Sequence, residues 1–173
     1  GLSRGGAADR LAVAEGAALL GQDASLAVLE MAGFGGVFEP DAPMRVALTG
    51  APMRATVDGE TLVWNASHTV MPGQHLSIST ALKGVYGYLH VGGGIDTPMA
   101  LGSRSAHLTA GIGAAVAAGD RLPVGKDRQD AGRTGMVLSG ADRFRGGVVR
   151  VVPSAQTHLF PDAQRARFEA TGF

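Results

Sequence analysis

The feature that most restricts the fold is a chain cut into short apolar runs by turn-forming residues. RVALT (45–49), ATV (55–57), TLVW (61–64) and HLSI (75–78) are bounded by Gly50, Asp58-Gly59 and Pro72-Gly73. Asp-Gly between two such runs is a strong hairpin signal, because the tight turn needs positive φ at both central positions. Gly119-Asp120 repeats the pattern ahead of Arg121-Leu122. Turns at intervals of roughly eight to twelve residues point to an all-β barrel or sandwich. The 27 glycines, about twice ordinary usage, fit a fold built on many tight turns.

Helices belong at the two ends. Residues 7–20 are rich in Ala and Leu, with Leu11, Ala14 and Ala18 on one face and Gly21 as a natural C-terminal stop. The spacing predicts a helix there, with Ser3 in the capping region and Asp9 in the first turns, where a carboxylate favours the helix dipole. Residues 24–31 read as a strand broken by Gly33, Gly35 and Gly36, and 148–152 read as another. Pro161 and Asp162 open a second helix running to residue 170. Residues 126–147 are the most polar and least periodic stretch and read as a linker. The expected division is a barrel over 1–125, a linker over 126–147 and the beginning of a second unit over 148–173. A chain opening on Gly1 and closing on Phe173 just after a helix-stop glycine is expected to be a piece of a longer protein.

Charge and composition exclude several classes. Lys plus Arg and Asp plus Glu both number 15, and aromatic residues are 5%, so neither the basic stripe nor the stacking platform of a nucleic-acid binder is present. With no cysteine there is no disulfide, thiolate nucleophile or cysteine metal site. The most apolar stretch, 11–20, contains Glu15 and Gly16 and is too short to span a bilayer, so no membrane role is expected. No signal-peptide pattern opens the sequence, and a cytoplasmic location is expected.

Chemistry concentrates in residues 87–105, GYLHVGGGIDTPMALGSRS. A strand breaks on Gly92, Gly93 and Gly94, which suggests close approach by another backbone or by a ligand. The three amides could face an anion or a polarised carbonyl, or the glycines could form a bulge at a barrel corner. Ser103, Arg104 and Ser105 then place a guanidinium fork between two hydroxyls, a receptor for a carboxylate or oxyanion. The alternative is a structural arginine that ties a loop by bonding carbonyls. Asp9 is a candidate acid or base at a helix start, or simply a dipole-favourable carboxylate. Asp96 is a site carboxylate or a turn former ahead of Thr97-Pro98.

His107, three residues beyond Arg104, is the histidine placed to act as acid or base; His90 reads as a packed or barrel-facing residue. Glu30 is a strand-end glutamate, either a base or solvated, and Trp64 and Tyr88 read as pocket-lining or core aromatics. Arg143 and Arg145 read as solvated. The five histidines show no HxH or HExxH spacing, so no metal is expected. Neither a GxxxxGK[ST] phosphate loop nor a GxSxG elbow occurs.

The order of motifs resembles the KipA-like family, which includes the C subunit of bacterial 5-oxoprolinase and the carboxyltransferase subdomains A and B of urea amidolyase (allophanate hydrolase subunit 2-like proteins). The likeness rests on GGAAD (5–9), Leu29-Glu30, Thr49-Gly50-Ala51, YLHVGGGID (88–96), LGSRS (101–105) and VVPSAQ (151–156). It implies a cyclophilin-like β-barrel with an N-terminal helix, a mainly β fold, followed by the start of subdomain B. It further implies an ATP-dependent amidohydrolase component that opens 5-oxoproline to glutamate beside a KipI-like subunit and a LamB/YcsF-like protein. In that chemistry Arg104 and the glycine amides hold the substrate carboxylate or oxyanion, and Asp9 moves protons. Within the same family the alternative is a biotin-dependent carboxyltransferase domain acting on a urea-like amide. A regulatory binding module without catalysis is the third reading.

Overall fold

The first helix begins where a side chain can cap it. A computed structural model describes residues 5–128, 134–139 and 143–172. In it, α1 (Arg10–Leu20) starts at Asp9, whose carboxylate accepts the Ala12 N–H, and ends at Gly21 in the left-handed conformation. The expected helix over 7–20 is therefore three residues shorter at its start. Asp9 is the cap itself and not a first-turn residue; Ser3 lies outside the described residues. A capping carboxylate of this kind is worth about 1 kcal/mol.

Eight strands follow among the described residues: β1 (Leu29–Ala32), β2 (Val37–Phe38), β3 (Met44–Gly50), β4 (Met53–Val57), β5 (Glu60–Thr61), β6 (Ala66–Val70), β7 (Leu76–Ala81) and β8 (Tyr86–Val91). They form two antiparallel four-stranded sheets, ordered β1-β8-β3-β6 and β2-β7-β4-β5. The chain from β1 to β2 pairs first with β8 and then with β7. Gly33 donates to the Val85 carbonyl at 2.7 Å, and Gly36 accepts from Ile78 at 2.8 Å. One strand path thus turns the corner between the sheets, giving the mainly β, barrel-like body with an N-terminal helix that the sequence led us to expect. The β4–β5 hairpin turns on Asp58 (φ 50°) and Gly59 (φ 91°), as the Asp-Gly pair requires.

Strand alternation decides what each face meets. On β3 and β8, Val46, Leu48, Leu89 and Val91 point between the sheets and pack with Met53, Ala55, Val57, Leu76 and Ile78. The intervening Ala47, Thr49, Tyr88 and His90 are fully buried on the other face, beneath α1. Both faces of these strands are therefore covered, and the helix-side face carries three polar side chains that must find partners.

Three expected strands differ. The one at 24–31 starts only at Leu29, because Asp23 accepts the Ser25 N–H in a tight turn; Ala27 makes a single bridge to Ile95. The turn at Gly119-Asp120 forms, but no strand follows it, and Val124 alone bridges to Ile95. Residues 148–152 are exposed and irregular, since no ladder partner lies beside them among the described residues. The second helix, α2 (Asp162–Ala170), forms as expected behind Pro161. No helix among the described residues is long and apolar enough to cross a membrane.

Residues from the polar stretch 126–147 are bonded to the barrel. Asp127 makes a two-pronged pair with Arg45 at 2.7 and 2.8 Å, and the same buried guanidinium donates to the Leu20 carbonyl. Val137 bridges to Ala66 on the edge strand β6, and Leu138 donates to the Asn65 carbonyl at 2.8 Å.

Candidate functional site

A chain of polar contacts gathers where α1 begins. Glu30 on β1 accepts through one oxygen, Oε2, from the Ala8 N–H at 2.7 Å and from the Tyr88 hydroxyl at 2.6 Å. The Tyr88 oxygen in turn accepts the Asp9 N–H at 2.7 Å. Burial and the Glu30 carboxylate push the Tyr88 phenol well above its usual range, so it stays a neutral donor. Asp9 uses Oδ1 to cap the helix and Oδ2 to accept from Arg143 at 3.1 Å. Arg143 also grips both oxygens of Glu15, at 2.7 and 3.0 Å, and stacks over Phe144. The expectation that Arg143 is solvated is overturned. Its hydrogen bonds to Glu15 hold the guanidinium above its ordinary pKa.

Beneath this cluster His90 faces α1. Thr49 Oγ1 donates to the Ala12 carbonyl at 2.8 Å, so its remaining contact, at 2.9 Å to His90 Nε2, has the histidine as donor. That assigns the proton to Nε2 and leaves the buried Nδ1 without a partner. Burial pushes the His90 pKa down to about 4, so the ring is neutral near pH 7.

The second region is the excursion after β8. Arg104 donates through Nε to the Thr97 carbonyl at 2.7 Å and through Nη2 to Asp96 Oδ1. Ser103 and Ala100 exchange backbone bonds across a tight turn, and Ser103 Oγ accepts the Ser105 N–H at 3.1 Å. A β-carbon on Gly5 would lie 3.8 Å from that of Ser105, so the segment leading to Asp9 runs beside this loop. On that segment Gly5, Gly6, Ala7 and Arg10 line an open depression of about 280 Å³. His107, partly buried, precedes a short 3-10 turn (Leu108–Ala110) and shares backbone bonds with Ile112.

The structure thus joins Asp96 to Arg104 and Ser103 to Ser105, and sets Ser105 beside the irregular segment that ends at Asp9. Gly92, Gly93 and Gly94 are elsewhere and closed. Their N–H groups go to the Arg45 carbonyl, Gln22 Oε1 and the Val91 carbonyl. A β-carbon on Gly93, at φ +87°, would stand 2.1 Å from the Gly125 carbonyl oxygen. The close approach is made by the chain's own backbone, and the reading of these amides as open anion donors is corrected accordingly. Glu15, Arg143 and the anchoring role of Tyr88 were missed by sequence reasoning. Glu15, a lone charge within the otherwise apolar AVAEGAALL stretch, was the available signal.

The family model described as carboxyltransferase domain, subdomain A and B, matches residues 1–173. The chain is 34% identical, over 97% of its length and 54% of the relative's, to a protein of Escherichia coli K12 named as the C subunit of 5-oxoprolinase. It therefore spans about half the length of that relative. Among solved structures, TTHA0988 matches with a TM-score of 0.76 and 30% identity over 82% of this chain and 28% of that one. The urea carboxylase of Kluyveromyces lactis matches with a TM-score of 0.57 and 27% identity, over 58% of this chain and 9% of the larger one.

Proposed function

Because the chain belongs to the family of carboxyltransferase domains, subdomains A and B, we propose that it forms part of a 5-oxoprolinase-type subunit. In this reading the assembled enzyme, with a KipI-like partner, opens the lactam of 5-oxoproline to glutamate at the expense of ATP. The observation that carries this reading is the 34% identity maintained over 97% of the chain to a protein named for that activity.

In this proposal each residue has a task that its geometry permits. Arg104 is oriented by Asp96 and the Thr97 carbonyl, and its Nη1 has no hydrogen-bond partner among the described residues. That free edge, with the hydroxyls of Ser103 and Ser105, receives the substrate carboxylate through charge-assisted hydrogen bonds. Asp9, fixed by the Ala12 N–H and by Arg143, carries a proton between water and the opening amide. His107 is the alternative acid or base. The residues described do not fit a triphosphate: the triglycine amides are spent within the chain and no phosphate loop occurs. Nucleotide binding is therefore left to another segment of the full-length protein or to the partner.

The test is Arg104→Ala in the full-length protein assembled with its partner subunits, assayed for glutamate release from 5-oxoproline. Loss of one charge-assisted contact of about 1.5–3 kcal/mol corresponds to a rise in KM of roughly ten- to a hundredfold. The expected result is that rise with kcat within about threefold. An unchanged KM with a lowered melting temperature would reduce Arg104 to a loop-tying residue.

The likeness to urea carboxylase supports a second reading, a domain that passes a carboxyl group between biotin and a urea-like amide. No biotin-accepting AMKM-like lysine context occurs in this sequence, so that reading places the carrier on another segment or chain.

A further inference from the structure

We infer that Tyr88 and Glu30 are positioning residues that set the path of residues 5–9 and, through it, the orientation of Asp9. The inference rests on the proposed role of Asp9 and extends it to groups that touch no substrate.

Two backbone donors at the start of α1 need partners. The N–H groups of Ala8 and Asp9 immediately precede the helix, and at an exposed edge water could satisfy both. Instead, Tyr88 is fully buried and its hydroxyl reaches up to meet the Asp9 amide, while the same hydroxyl donates to Glu30. Glu30 is exposed, yet it gives a single oxygen, Oε2, to both Tyr88 and the Ala8 amide. Two consecutive amides are thus pinned by one buried phenol and one carboxylate that come from different strands. The ring also has room kept for it. A β-carbon on Gly50, at φ +78°, would stand 2.6 Å from the Tyr86 carbonyl oxygen and 2.8 Å from Tyr88 Cδ2.

This pinning bears on chemistry because Asp9 is the last residue before the helix. Its Oδ1 meets the first turn and its Oδ2 Arg143, while Tyr88 and Glu30 fix the backbone from which the side chain departs towards both. The same backbone lines the depression at Gly5, Gly6, Ala7 and Arg10 and passes Ser105. Misplacing a reacting group by about 1 Å can lower a rate by about a hundredfold without touching the substrate.

The experiment uses the full-length protein with its partner subunits and the variants Tyr88→Phe, Glu30→Gln, Asp9→Asn and the double variant Tyr88→Phe/Asp9→Asn. Tyr88→Phe keeps the ring and removes only the hydroxyl. The expected result is a fall in kcat for 5-oxoproline of about tenfold or more with KM within about twofold. The double variant should be no slower than Asp9→Asn alone, because the hydroxyl acts only through Asp9. Glu30→Gln, which retains an acceptor oxygen, should recover more than half of the wild-type kcat. Amide hydrogen exchange gives a readout independent of turnover. Exchange at Ala8 and Asp9 should quicken about tenfold or more in Tyr88→Phe while β3 and β6 are unchanged.

Full kcat in Tyr88→Phe, or losses that multiply in the double variant, would overturn the inference. Unchanged exchange at Ala8 and Asp9 would overturn it whatever the enzyme's activity. If the wild-type complex forms no glutamate while exchange responds as described, the substrate assignment fails and the pinning of this segment stands.

Discussion

Replacing Gly16 by alanine is expected to destabilise the fold by roughly 3 kcal/mol, against the helix-propensity gain of about 1 kcal/mol that the same change brings at an exposed site. A β-carbon at position 16 would stand 2.2 Å from His90 Nε2 and 2.3 Å from its Cδ2 and Cε1, closer than real β-carbons approach any atom. His90 is fully buried and held by Thr49, so the ring cannot swing away without giving up that bond. Either α1 lifts from β3 and β8 or the Thr49–His90 contact breaks, and each outcome loses packing or a buried hydrogen bond. For a chain of this size the loss corresponds to a melting temperature lower by about 10 °C. Thermal unfolding of Gly16→Ala checks it, and Gly16→Ala/His90→Ala should fall well short of the sum of the single effects, since removing the ring removes the clash.

Acid is expected to destabilise the protein through the same histidine. His90 is neutral when folded, with a pKa near 4, and binds a proton at its ordinary value of 6.5 when unfolded. Between those values the unfolded chain holds a proton that the folded chain does not, so stability falls as pH falls from 6.5 towards 4. The loss is on the order of 3 kcal/mol and is essentially complete at the lower limit. Denaturant midpoints at constant ionic strength across that window should show this slope. His90→Gln, which retains a donor for Thr49 but does not titrate there, should be less stable at pH 7 and lack this contribution to the slope. An identical slope in the variant would assign the acid loss to the carboxylates instead.

Local signals were readable in the sequence where one short stretch decided the outcome. Asp58-Gly59 turned a hairpin because its neighbours in sequence are its neighbours in space, and Gly21 stopped α1 for the same reason. The mainly β class and the family likeness followed from many such stretches in order. What escaped was set by distant partners. Gly92 to Gly94 announced a close approach, but nothing local indicated that the visitor was the chain's own Gly125 and Asp127. Arg143 looked solvated in a polar stretch, although its partners Glu15 and Asp9 lie 128 and 134 residues away in sequence. Residues 148–152 carried a strand's composition, yet a strand also needs an edge to pair with.

The candidate site divides along the same line. Ser103, Arg104, Ser105 and Asp96 were legible as a group because they are close in sequence, and Arg104 does bond a carbonyl as the structural alternative supposed, with one guanidinium nitrogen left over. Asp9 was legible only as a lone carboxylate. Its setting among Tyr88, Glu30, Glu15 and Arg143 required the fold.

The most direct test of the proposed function is a substrate comparison with the full-length protein and its partner subunits. The complex is given ATP and either 5-oxoproline, or urea with bicarbonate and a biotin carboxylase. The expected result is ATP-dependent release of glutamate from 5-oxoproline, abolished when the partner is omitted, and no carboxylation of urea. Biotin-dependent carboxylation of urea without glutamate formation would contradict the proposed function.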